Sequence, residues 1–195
     1  DGTSPRAHGT LRKDFGHDLV VGGFRGYRWW RVGRAGWLES PFFGRNRWDP
    51  SSNRAECFIL KHGRMWFYSR LRAEHQTGAP ALACDCGFYG LNDLPIEATR
   101  EEQRLSPWQV DPRDSGFEGL VLGVAEAWGR VLLGTEGWRS QFCKPLALFV
   151  RPRTSNSIDT GSLQNRYGIP VLRDLDALVS EWGPERRLQG ISATA

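Results

Sequence analysis

Cysteine spacing constrains this chain more than any other feature. Cys84 and Cys86 flank a single residue, Asp85, and Gly87 follows at once; Cys57 lies upstream in Ala55-Glu56-Cys57-Phe58, and His75 lies between. Two thiols one residue apart cannot close a disulfide on each other without severe strain, but both can face one ion where a glycine lets the chain turn behind them. Three thiols and an imidazole make a Cys3His set, the ligand number and softness of a structural zinc ion. The expected metal ligands are therefore Cys57, His75, Cys84 and Cys86. The interval is shorter than the C-x2-C of the familiar zinc ribbons, and two of the ligands are remote from the knuckle. His62, in Lys61-His62-Gly63-Arg64, is the alternative imidazole, although its setting reads as an exposed turn. The competing reading makes Cys57 a small buried hydrophobe on a strand and the C-x-C pair incidental. Cys143, in Gln141-Phe142-Cys143-Lys144-Pro145, reads as a core thiol on a strand.

A chain of 195 residues can form one ordinary domain with a real core, or a core plus a small appendage. No apolar run approaches the roughly eighteen residues a membrane helix needs, and no secretory leader is visible. With four cysteines and no leader, the expectation is a reducing cytoplasm, where metal is favoured over disulfide. The net charge of +4 comes almost wholly from arginine, since Lys13, Lys61 and Lys144 are the only lysines. Arginine is the better residue for planar phosphate and base-edge contacts, so this balance permits nucleic acid as a partner without demanding it.

Residues 1–18 are polar and broken by glycine and proline, which reads as a flexible arm. Residues 19–152 read as a β-rich zinc-binding core. Within it Tyr27-Arg28-Trp29-Trp30-Arg31-Val32 alternates as a strand, with Tyr27, Trp29 and Arg31 on one face and Arg28, Trp30 and Val32 on the other. Residues 33–36 form a turn into a short strand at 36–41, residues 42–52 a loop, and residues 56–60 a strand carrying Cys57. Residues 65–71 fit strand or helix, and 96–105 fits a helix with Pro95 near its first turn. The clearest hairpin joins 120–133 to 138–150 through Gly134-Thr135-Glu136-Gly137. Residues 153–195 read as a helical C-terminal segment packed on the core, with a short helix closed by Gly168, an extended Ile169-Pro170-Val171 and an amphipathic helix ended at Gly183-Pro184. The sum is an α+β fold: a twisted β-sheet or small partly closed barrel, a zinc knuckle and C-terminal helices.

Enzyme signatures do not emerge. There is no Walker loop, no G-x-S-x-G elbow, no H-E-x-x-H and no zinc-deaminase pattern. A Cys3His shell is closed, whereas a catalytic zinc keeps a position open to water. Binding chemistry fits better. Nine tryptophans are present, and several adjoin arginine, as in Arg28-Trp29-Trp30-Arg31, Arg47-Trp48, Trp128-Gly129-Arg130 and Trp138-Arg139. Indoles stack bases and guanidiniums contact phosphate or base edges. The expected nucleic-acid contacts are Tyr27, Trp29, Trp48 and Trp138 as stacking rings, with Arg28, Arg31, Arg47, Arg130 and Arg139 as cations. Against this stands the ordinary alternation of a half-buried strand, which sends about half of such indoles into the core.

Taken together, Gly26-Tyr27-Arg28-Trp29-Trp30-Arg31-Val32, Ala55-Glu56-Cys57, His75 with Ala79-Pro80, Cys84-Asp85-Cys86-Gly87, Trp128-Gly129-Arg130-Val131 and Gly137-Trp138-Arg139 form a pattern. It resembles a family without an assigned function, from high-GC bacteria and their phages, with a G-x-R-x-W strand and an H-x-A-P-x-x-x-C-x-C-G motif. This chain departs from that motif by setting His75 two residues further from Ala79-Pro80. The resemblance supports the metal site and leaves the activity open. A looser likeness is to PUA-like barrels, a superfamily that includes readers of modified bases. The expectation is a zinc-stabilised module that binds nucleic acid, DNA before RNA, with a flipped or modified base as one candidate ligand. The alternative is a protein–protein interaction module with structural zinc, in a phage or defence context. Neither reading involves a membrane.

Overall fold

The computed structural model of the protein describes residues 17–41, 47–57, 78–82, 84–96, 117–151 and 158–184. His62 and His75, the polar arm up to residue 16, the ambiguous segment 65–71 and nearly all of the helix expected at 96–105 lie outside the described residues.

Two long strands form the frame. β1 (His17–Gly33) and β5 (Phe117–Leu133) run antiparallel from the His17↔Leu133 pair to the Gly33↔Phe117 pair, and β6 (Gly137–Phe149) continues the sheet on the far side of β5. All three are rich in Val, Leu and aromatic residues, which pack well on a pleated surface. Short strands complete the sheet: β2 (Trp37–Glu39) beside β1, β3 (Asn53–Arg54) beside β6, and β4 (Phe88–Leu91) between β1 and β6. β4 reaches β1 at the single pair Tyr27↔Leu91, so β1, β5, β6 and β4 make a ring of strands that is not a clear barrel. The tip of the β5–β6 hairpin is tied down by Asn92, whose side-chain amide donates to the carbonyls of Gly134 and Thr135.

Alternation along β1 sorts its side chains as the sequence indicates. Trp30 and Val32 enter one core with Leu38, Trp48, Val121, Trp138 and Leu148. Tyr27 and Trp29 join a second cluster with Leu122, Val124, Phe149 and Leu178. Trp30, Trp48 and Trp138 are at most 1% exposed. Each buried indole removes roughly 200 Å² from water, worth about 5 kcal/mol before the entropy of ordering it is subtracted.

Of the strand expected at 56–60, residues 58–60 lie outside the described residues, and 56 and 57 follow β3 without being in a strand, although Ala55 donates its N–H to Gln141 O and keeps the chain beside β6. In the C-terminal segment, the extended stretch between the two helices includes a short strand. After α1 (Thr160–Tyr167), β7 (Val171–Leu172) adds to β6 in parallel, before α2, which begins at Leu175–Ala177 and continues as a wider π-helical turn through Leu178–Trp182. Asp159 caps α1 by accepting from the Ser162 N–H, and Gly168 ends it in the left-handed region. In the described residues no helix is long and apolar enough to cross a membrane.

Candidate metal centre

Cys57 arrives at the centre directly after β3, and Cys84 and Cys86 arrive in the loop that leads into β4. β3 and β4 both pair with β6, so β6 is the floor that brings the two distant segments together. Ala81 accepts a hydrogen bond from Cys84 N–H, which folds the knuckle back, and Gly87 turns the chain into β4 with φ +117°. A side chain there would be doubly obstructed: the conformation is left-handed, and a Cβ would stand 2.9 Å from Pro80 Cβ.

The three sulfurs lie within 4.8 Å of one another, and Cys57 Sγ is 3.6 Å from Cys84 Sγ. Tetrahedral zinc with Zn–S near 2.3 Å sets its sulfurs about 3.8 Å apart, so this donor set fits a metal ion in type and in spacing. All three thiols are buried, against Ala55, Ala79, Ala81 and Phe88. The hydrogen bond between Cys84 and Cys86 splits the pair. It holds the Cys86 thiol below its ordinary range and pushes Cys84 well above it, and burial adds to the rise at Cys84.

Arg139, on β6, reaches this loop. It is 3% exposed, and its Nη1 donates to the carbonyls of Ala81, Cys84 and Cys86. Tyr89 closes the other side by donating its hydroxyl to Asp85 O at 2.6 Å. A buried guanidinium beside three thiols would offset the negative charge they acquire on holding a metal ion. Arg139 therefore belongs to the knuckle, not to a nucleic-acid surface as its sequence setting suggested. Strand alternation could not reveal this, since 137–140 of β6 is buried on both faces.

Other expected nucleic-acid contacts are also interior. Tyr27, Trp48 and Trp138 are core rings and present no face on which a base can stack. Arg28 is 6% exposed and lies over Trp48, with its Cζ 4.7 Å from the ring centroid and 5.9 Å from those of Trp30 and Phe88. It donates to Tyr89 O and Ser40 Oγ, and burial brings its pKa down to about 10, leaving it charged at neutral pH. This aromatic cage is filled by the protein's own guanidinium, so it is not a pocket for a flipped base. Cys143, fully buried with its thiol pushed up to about 12 by burial, is the core thiol its setting indicated.

Trp29, Arg31, Arg47 and Arg130 remain nearer solvent. Trp29 and Arg31 are half-buried, and Arg130 is half-buried with its backbone N–H on Gln141 Oε1. Arg47 is exposed and sits over Trp37 at 5.5 Å, within 4.0 Å of Glu39 Oε1. Arg166 covers the same indole at 4.0 Å. The Trp37–Arg166 contact has no local sequence signature, because Trp37 and Arg166 are 129 positions apart along the chain. Compared with known proteins, the chain matches no family model, no curated protein and no solved structure.

Proposed function

We propose that the protein is a non-catalytic module, held in shape by a zinc ion and adapted to bind nucleic acid. Three buried sulfurs within 4.8 Å carry the first half of this reading. Zinc is the ion of choice because the thiolates are soft and the shell, completed by His75, is closed and redox-inert. Zinc here ties the β3 and β4 approaches to β6, a long-range staple in a fold whose short strands pair at few positions.

The second half is supported by where the cations sit. Arg47 and Arg166 flank Trp37, and Arg25 lies over Trp182, each pair at the surface or near it. Guanidiniums held against indoles are pre-positioned donors for phosphate and lose little entropy on binding. A mobility-shift series over increasing salt is the test. Affinity that drops with rising salt supports the reading, and absence of any DNA or RNA complex at low salt removes it.

A further inference from the structure

The second cluster's face of the sheet carries a feature that the metal centre does not explain. Trp128 on β5 and Phe142 on β6 stand directly opposite in register, their rings stacked at 5.7 Å with 14° between planes, and both are partly exposed. The row continues to exposed Arg54, which pairs with Phe142 from β3. One step along the strands a second row holds Lys144, Glu126 and Arg25 in register. Lys144 Nζ is 2.8 Å from Glu126 Oε2 and 5.9 Å from the Trp128 ring centroid. Two cations, Arg54 and Lys144, and one carboxylate thus lie beside two flat rings on adjacent strands, while the Arg25 guanidinium is engaged with Trp182. Gly129 protects the arrangement: it bulges with φ +77°, and a Cβ there would stand 2.8 Å from Phe142 Cδ2.

We propose that this face is a stacking platform for single-stranded nucleic acid, an inference that rests on the nucleic-acid reading above and names its site. An unpaired base extends the Trp128–Phe142 stack as a third ring, while Arg54 and Lys144 meet the flanking phosphates. A duplex, whose bases are already stacked on one another, offers no face to the platform. Charge complementarity singles out a polyanion over an apolar partner, because the cations frame the rings and a hydrophobic occupant would strand them.

Fluorescence anisotropy with a fluorescein-labelled oligothymidylate tests it, at about 50 mM and about 200 mM salt. Trp128→Ala and Phe142→Leu should each weaken binding on the order of 10-fold. Arg54→Ala, at an exposed position, should weaken it less and lower the salt slope by about one. The matching duplex should bind more weakly than the single strand. If the wild type binds and correctly folded Trp128→Ala and Phe142→Leu bind as tightly, the platform is overturned and the nucleic-acid reading survives. If the wild type binds no oligonucleotide, both fall. A wild-type dimer that Trp128→Ala turns into a monomer in sedimentation would make this face a protein interface and overturn the platform.

Discussion

The indole of Trp138 packs directly against the backbone of Gly90, so that a Cβ added to Gly90 would overlap the ring's Cζ2. Gly26 on β1 meets Nε1 of the same ring in the same way, while Phe24 contacts it edge-on at 5.1 Å. Trp138 therefore fills a slot cut through two strands, and β1 and β4 approach each other closely only because both glycines are bare there.

Gly90→Ala should accordingly destabilise by roughly 1–3 kcal/mol or more, since neither the indole nor the paired strands can move away cheaply. Urea denaturation would show this as a lower midpoint with an unchanged m-value. A midpoint within error of wild type would mean that the slot is looser than its geometry indicates.

Purified protein should contain one equivalent of zinc, lost on Cys57→Ser, Cys84→Ser or Cys86→Ser. Each of these should also lower the melting temperature to that of chelator-treated wild type, because metal binding and folding are coupled. His75→Ala and His62→Ala, measured side by side by elemental analysis, identify the imidazole: His75→Ala should lose zinc and His62→Ala should retain it. Full zinc in Cys84→Ser would refute the centre.

How much of this was legible in the sequence depends on how local each feature is. The β5–β6 hairpin could be read because Gly134-Thr135-Glu136-Gly137 separates two apolar runs, and the knuckle because Cys84, Cys86 and Gly87 are neighbours. Alternation located Trp30 and Val32 on one face of β1 and Tyr27 and Trp29 on the other. It could not say which face is covered: Trp48 and Trp138 vanish into the core, and Arg139 is enclosed by a loop some fifty residues upstream, as its bond to Cys86 O shows. A cation in an aromatic cage, as at Arg28, leaves no mark in its own neighbourhood of sequence. Cross-strand rows such as Arg54, Phe142 and Trp128 appear only once register is known.

Arg139→Lys should weaken zinc binding by about 10- to 100-fold while the protein stays folded. Lysine keeps the charge but is the shorter side chain, so its ammonium falls short of the point from which Arg139 Nη1 meets the carbonyls of Ala81, Cys84 and Cys86. Competition with a chromophoric zinc chelator gives the number. Release at the same chelator concentration as wild type would show that a nearby charge alone, without the contact to these carbonyls, supports the knuckle.

Alkaline pH should destabilise the fold through Cys143. Burial pushes this thiol from 9.0 up to about 12. Above pH 9 the unfolded chain therefore sheds that proton while the native state keeps it. The unfolded state then binds fewer protons, so stability falls as pH rises, by up to about 1.4 kcal/mol per pH unit for one group. Its contribution is whole below pH 9 and is lost on the way to 12. Arg28, whose folded pKa is lowered to about 10, has the opposite sign and begins to offset the loss above that value. The clean window is pH 9 to 10, where wild type should lose stability faster than Cys143→Ala in urea melts; parallel slopes would contradict the assignment.

Tyr167→Phe should cost about 1–3 kcal/mol, although it removes a single oxygen. That hydroxyl accepts from Leu38 N–H at 2.8 Å and donates to Trp48 O at 3.0 Å, joining α1 to β2 and to the residue beside Arg47. Leu38 and Trp48 are buried, so water cannot replace the lost partner without opening the core. Nearby, Leu38 O accepts from Trp48 N–H, so these two backbones are already joined once, and the tyrosine adds the second tie that orients Arg47 and Arg166 about Trp37. The same variant should therefore show faster amide exchange at Leu38 than at Val124 in the second cluster, and equal acceleration at both would mean global destabilisation in place of a local one.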